Sequence, residues 1–150
     1  MTRQRPIHDK PIVYRRAVAE GELRLNEMSR LAIRTHNVEK GEPLAAGEVA
    51  GLVAVKRTPE LLPHCHPIPI TGSSVELRLT ETGVHARAEV ETLWRTGVEM
   101  EALTAVAIAL LTVWDMIKYL EKDPRGRYPT TRIGKIRVVT KEKRALPHAP

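Results

Sequence analysis

The chain of 150 residues contains no phenylalanine, three tyrosines, two tryptophans and a single cysteine. So few aromatic rings leave no stacking platform for the bases of a nucleic acid. No nucleic-acid-binding motif compensates, so no such partner is expected. One cysteine cannot form an intrachain disulfide. A Walker A glycine loop is missing too, so a bound triphosphate would have to be held by side-chain cations, which speaks against a kinase or ATPase. The longest stretch with neither a charged residue nor a histidine, Ala102 to Trp114, has 13 residues. That is short of the ~20 that cross a bilayer, so we read it as a core element and expect no membrane partner. Residues 1–20 carry Arg3, Arg5, Lys10, Arg15 and Arg16 and no apolar core of the length a secretory leader uses. These absences point to a soluble, cytoplasmic protein of one domain, large enough to fold without a structural metal.

What is present is positive charge and an unusual central segment. Lys and Arg total 24 against 18 Asp and Glu, a net +6 that suits an anionic partner, with a small phosphorylated ligand as good a candidate as any larger one. In Leu61-Leu62-Pro63-His64-Cys65-His66-Pro67-Ile68-Pro69-Ile70, both of the closest-spaced histidines and the only cysteine fall among three prolines. Proline fixes its own φ and biases the preceding residue toward extended conformations. The segment is therefore expected to be a stiff extended ribbon, with His64 and His66 on one side and Cys65 on the other.

Around that ribbon the pattern predicts alternating strands and helices. Residues 1–11 are polar and expected to be loose. From Ile12 to Leu25 a strand is expected, turning at Glu20-Gly21-Glu22 into more extended chain. Asn26 caps a helix to about His36 with Met28, Leu31 and Ala32 facing the core. A second helix covers about Leu44 to Arg57, where Ala45, Ala46, Val49, Ala50, Val53 and Ala54 allow close packing. Gly47 and Gly51 mark places where another backbone comes near. Thr58-Pro59 reads as the start of a further short turn. Strict alternation from Val75 to Glu91, broken at Glu81-Thr82-Gly83, predicts an antiparallel hairpin. Glu99 to about Lys122 is a long helix, and Ile133 to Thr140 a last strand with Ile136 and Val138 inward. This order predicts an α+β, ferredoxin-like βαββαβ fold, an antiparallel sheet covered by helices on one side. The long helix is apolar almost all round, so we expect the sheet to cover one flank and another subunit the other.

Four groups of residues carry chemistry. For His64, Cys65 and His66 the open readings are structural packing, a zinc site, a cysteine nucleophile or one wall of a ligand pocket. Extended geometry that turns Cys65 away from the histidines weighs against zinc, and nothing in the sequence lowers the thiol pKa. Glu99 and Glu101, flanking Met100, fall in the first turn of the long helix. They either stabilise its N-terminus or accept paired N–H donors from a ligand such as a guanine or pterin edge. Asp115 and Lys118, three apart on that helix, are a surface ion pair or an acid/base pair. Lys40, Lys56 and Lys141 are solvated cations or phosphate ligands. Glu101 and Asp115 are 14 positions apart, about 21 Å along an ideal helix. If both act on one small ligand, the site is built across subunits.

In this order, Lys40-Gly41-Glu42, Val49-Ala50-Gly51 through Lys56-Arg57-Thr58, Leu62-Pro63-His64-Cys65-His66-Pro67, Thr96-Gly97-Val98-Glu99-Met100-Glu101-Ala102-Leu103-Thr104-Ala105 and Asp115-Met116-Ile117-Lys118 resemble the cyclic pyranopterin monophosphate synthases of molybdenum cofactor biosynthesis. The resemblance covers about residues 12–141, which would form the single synthase domain, with 142–150 a tail. It implies a lyase that converts a cyclised dihydroguanosine triphosphate, made by an upstream radical enzyme, into cyclic pyranopterin monophosphate with release of pyrophosphate. It implies Asp115, Lys118 and Lys40 as catalytic residues, and His64, Cys65, His66, Glu99, Met100, Glu101, Lys56 and Lys141 as substrate-binding ones. A homohexamer, a trimer of dimers with the active site at the dimer interface, goes with it. No cofactor is required, with room for magnesium accompanying the triphosphate, and no metal site. The chain departs from the family at His64, where an apolar residue is usual, and at both ends. The alternative is a non-catalytic nucleotide-binding or regulatory module on the same fold.

Overall fold

A computed structural model describes residues 1–147. Its elements run β1 (Val13–Arg24), α1 (Glu27–Arg34), α2 (Pro43–Leu61), β2 (Ile70–Leu79), β3 (Gly83–Trp94), α3 (Glu99–Glu121) and β4 (Arg132–Arg144). The four strands form one antiparallel sheet in the order β2-β3-β1-β4. This is the ferredoxin-like arrangement, with an extra helix in the first crossover.

Alternation in the strands sorts the two faces. Ala17, Ala19, Leu23, Ala86, Ala88 and Val90 are buried in one cluster with Ala102, Val106, Ala109, Leu110 and Val113 of α3. Small strand side chains let the thick helix lie close. At Gly21 a Cβ would come within 2.8 Å of Val106 Cγ1, so the glycine belongs to this packing. β1 consequently runs straight through Glu20-Gly21-Glu22, where the sequence suggested a turn, and the irregularity appears only as a shift in its pairing with β4. The opposite face carries Arg16, Glu20, His85, Arg87 and Glu89, joined by ion pairs such as Arg16 with Glu89 at 2.6 Å.

By length and composition α3 would suffice to cross a membrane. Ala102, Ala105, Val106, Ala109, Leu110, Val113 and Ile117 are instead fully enclosed. Leu111 of α3 stays half exposed on one flank of the helix, and α2 packs along another. The approach is close because Gly47 and Gly51 face α3: a Cβ there would sit 3.0 Å from the Ala109 carbonyl and 3.2 Å from that of Ala105. Both glycines are where another backbone comes near, as the sequence suggested.

Several boundaries and phases differ from expectation. In α1, Asn26 does cap, its side chain accepting from Ser29 N at 2.8 Å. The buried residues, however, are Ser29 and Ile33, while Met28 and Leu31 are exposed. The cause is a buried carboxylate, Glu121, which accepts from the Ser29 hydroxyl and from Asn26 N and draws that side of the helix inward. α2 does not stop at Arg57. Thr58 continues it, its hydroxyl donating to the Ala54 carbonyl at 2.9 Å, and Pro59 is accommodated inside the last turn. Val49 and Val53, expected to pack, are exposed because the two glycines occupy the buried side.

The proline segment is not one extended ribbon. Cys65 N donates to Leu62 O at 3.0 Å, closing a turn over residues 62–65, and the chain from His66 has no regular structure until β2 begins at Ile70. β4 reaches Arg144, so residues 142–144 of the expected tail are strand, while residues 148–150 lie outside the described residues. Ile136 and Val138 are 39% and 38% exposed, because an edge strand lies beyond the reach of most of α3. The opening segment is tied down: Arg95 donates to the His8 and Lys10 carbonyls, at 3.0 and 2.6 Å, and Gln4 Nε2 to the Cys65 carbonyl at 3.1 Å.

Candidate functional site

The residues singled out from sequence gather into two clusters at opposite ends of α3. At the C-terminal end, the i,i+3 spacing on a helix puts Lys118 beside Asp115, with Nζ 2.8 Å from Oδ1. Lys40 arrives from the α1–α2 connection. Its Nζ lies 3.3 Å from Asp115 Oδ2 and donates to the Asp115 backbone carbonyl at 3.1 Å. Gly41, at φ +109°, makes the bend that follows Lys40, a conformation for which side chains carry a steric cost.

One carboxylate thus sits between two ammonium groups. The hydrogen bond from Lys118, and then that from Lys40, hold the Asp115 carboxyl below the usual aspartate range, while Asp115 pushes the Lys118 ammonium above the usual lysine range. At neutral pH the resting cluster is an anion and cations, open to solvent. It can balance phosphate charge at once, and it can exchange a proton when a substrate displaces one partner of the pair.

At the N-terminal end of α3, Glu99 and Glu101 meet the Cys65 turn and β4. Lys141 Nζ lies 3.3 Å from Glu99 Oε1. Glu101 is 2% exposed, and burial first, then the neighbouring charge of Glu99, raises its carboxyl to about 7 against a hydrogen bond from its own amide. Oε2 of each glutamate is buried without a hydrogen-bond partner. Gly97 makes room for them, since a Cβ there would run into the Glu99 carboxylate. Burial raises the Cys65 thiol as well, reinforced by Glu101 and Glu99, so at neutral pH it is a thiol and not a thiolate. Such a pair of acids, one near its own midpoint and each with an unused oxygen, can donate to and accept from a polar ligand edge.

Of the remaining candidates, His66 is half-buried beside Cys65, whereas His64 lies exposed on the turn. Met100 is partly exposed between the two glutamates. Lys56 joins neither cluster; it lines a cavity of about 450 Å³ with Ile68, Ile70, Thr71, Gly72 and Ser73. Among the described residues no three His, Cys, Asp or Glu side chains come together as a metal would need.

Sequence reasoning passed over two tyrosines near Asp115. Tyr119 Oη accepts from Glu39 N at 2.9 Å, next to Lys40. The Tyr128 ring stands edge-on to Trp114, with centroids 5.4 Å apart, and its phenol is near enough to raise the Lys118 pKa slightly. The i,i+4 spacing of Asp115 and Tyr119 was the available signal for the first. The second, in a loop, had none.

Comparison with known sequences matches residues 5–144 to the model described as the MoaC family. The chain is similar to a probable cyclic pyranopterin monophosphate synthase of Pyrococcus abyssi, 50% identical over 137 residues that cover 91% of this chain and 86% of the relative. It is equally similar to one of Sulfolobus acidocaldarius, 50% identical over 137 residues, covering 91% and 96%. A probable cyclic pyranopterin monophosphate synthase accessory protein of Methanothermobacter thermautotrophicus is 50% identical over 140 residues, 93% and 88% of the two chains.

Proposed function

The chain belongs to the MoaC family, and from that premise we propose that it is a cyclic pyranopterin monophosphate synthase of molybdenum cofactor biosynthesis. The observation that carries the reading beyond likeness is Asp115 held between Lys118 and Lys40. A phosphorus–oxygen lyase acting on a triphosphate needs cations to take up the charge of departing pyrophosphate and a coupled acid and base to move protons as the ring system is rebuilt. In this reading a substrate hydroxyl forms a new bond to the innermost phosphorus, the bond from that phosphorus to pyrophosphate breaks, and the cyclic phosphate remains. Lys40 faces the phosphate charge. Lys118, as an ammonium, gives a proton to the departing pyrophosphate, and Asp115, which holds it in place, takes up the proton that the attacking hydroxyl releases.

The guanine-derived end of the substrate would meet Glu99, Met100, Glu101, Cys65 and His66, with Lys141 balancing Glu99. The two clusters are on one continuous helix and about 21 Å apart. One small substrate therefore takes the two halves of its site from different copies, which supports a homo-oligomer with the site at a subunit interface, the hexameric trimer of dimers among the arrangements that do this. The substrate itself would come from an upstream radical enzyme in the cytoplasm, and magnesium would travel with the triphosphate as part of the substrate.

The direct test supplies the cyclised dihydroguanosine triphosphate to the full chain and follows pyrophosphate and the cyclic phosphate product. Stoichiometric appearance of both is expected. Binding without either product would instead favour a nucleotide-binding module.

A further inference from the structure

Lys40 is the one member of the Asp115 cluster that does not sit on α3, and its placement needs a cause. It lies in the connection between α1 and α2, residues 35–42, which has no helical or strand pairing of its own. A lysine side chain gives up much rotamer freedom when its ammonium is held in one place, so an ammonium on an unanchored loop would spend little time at one carboxylate. The polar contacts within the connection are mostly local: Thr35 Oγ1 to the Leu31 carbonyl, Asn37 N to the Ala32 carbonyl, Gly41 N to the Val38 carbonyl, and His36 with Glu42. Val38 is buried in the core and fixes the middle of the segment. Among the described residues, the one hydrogen bond beyond those of Lys40 that crosses from this connection to α3 runs from Glu39 N to Tyr119 Oη, at 2.9 Å. Tyr119 is one helical turn beyond Asp115 and so on the same side of α3. Its hydroxyl holds the peptide immediately before Lys40 to the helix that presents the carboxylate.

We propose that Tyr119 is a positioning residue for Lys40, holding the Glu39–Lys40 backbone so that the ammonium reaches Asp115. The inference rests on the reading of Lys40 and Asp115 as part of a catalytic cluster. The ring of Tyr119 is partly exposed, so Tyr119→Phe removes the acceptor oxygen and leaves the packing in place.

Three measurements on full-length protein test it. Tyr119→Phe is expected to speed hydrogen exchange at the Glu39 amide about tenfold, the worth of one hydrogen bond. It should also change the rate at which Lys40 is acylated by an amine-directed reagent, read by peptide mass spectrometry, while the oligomer and its melting temperature stay as in the wild type. In turnover, kcat should fall about tenfold, with no further fall when the change is made in Lys40→Ala. An equal loss in the Lys40→Ala background would show that Tyr119 acts on something else and would overturn the proposal. Faster exchange at Glu39 with kcat and Lys40 reactivity unchanged would overturn it too. If the wild-type protein itself shows no turnover, the proposed function fails, and the Lys40 acylation rate alone then decides the positioning: a change supports it, an unchanged rate overturns it.

Discussion

Lys40 and Asp115 are 75 positions apart in the chain and 3.3 Å apart in the structure. That proximity turns an ordinary i,i+3 helix pair into a three-membered cluster. It also makes a distinction that activity measurements can read. If Asp115 serves only to stabilise α3, losing it costs what an exposed ion pair costs, which is little. If it holds two reacting lysines, Asp115→Asn and Lys118→Ala should each lower kcat by about 10²-fold or more, with oligomer and melting temperature retained. Wild-type turnover in either variant refutes its assignment.

Cys65 is expected to be dispensable for covalent chemistry. Its thiol is raised by burial and by two neighbouring carboxylates, the opposite of what a nucleophilic cysteine needs. Cys65→Ser should keep kcat within about threefold, and alkylation of the wild-type thiol at neutral pH should run slower than for a free thiol, since the thiolate is the reacting form. Loss of turnover in the serine variant together with fast alkylation would restore the nucleophile reading.

The sheet and its four strands were legible because alternation along β2 and β3 is strict and Gly83 punctuates it. α3 was legible because its length and apolarity leave no other reading. Helix phase in α1 was not. Met28 and Leu31 look like core residues by hydropathy, and the residue that decides the phase, Glu121, is 92 positions from Ser29. The proline segment misled for a related reason: proline restricts local φ, but the turn at residues 62–65 is closed by the Leu62 carbonyl, a contact that residue-by-residue preference does not encode. For the site, the two clusters could be named in advance because their members lie close together on α3. Lys40 was placed only by resemblance. The contact proposed to bring it in is a backbone hydrogen bond to Tyr119, which the sequence marks only by that residue's i,i+4 spacing from Asp115.

Glu121 itself should be a stability determinant. Its carboxylate accepts from Asn26 N, from the Ser29 hydroxyl and from Thr131 Oγ1 at 2.7 Å, and so ties the end of α3 to the start of α1 and the approach to β4. Glu121→Ala leaves these buried donors without an acceptor, at a cost of about 3 kcal/mol. Chemical denaturation measures this as a lower midpoint with unchanged slope. Ser29→Ala, which removes one donor and leaves the others paired, should cost about 1 kcal/mol. A Glu121→Ala variant as stable as the wild type would show that the cluster does not hold these elements together.

The last expectation concerns pH. In the folded protein the Glu101 carboxyl is raised from 4.5 to about 7, chiefly by burial and secondarily by Glu99. Because the folded pKa is above the unfolded one, the folded state keeps a proton between pH 4.5 and 7 that the unfolded chain releases. The unfolded state binds fewer protons in that window, so stability falls as pH rises. The contribution is fully present below pH 4.5, declines through the interval and is gone above about 7, a span on the order of 3 kcal/mol. Glu101→Gln, uncharged at every pH and similar in shape, should remove that decline. The variant should match the wild type near pH 4.5 and exceed it at pH 8, as read from denaturant midpoints at both values. Parallel curves for the two proteins would mean that Glu101 is ionised throughout, with a partner for its unused oxygen supplied by the assembled oligomer, and would take away its role as a donor to the ligand edge.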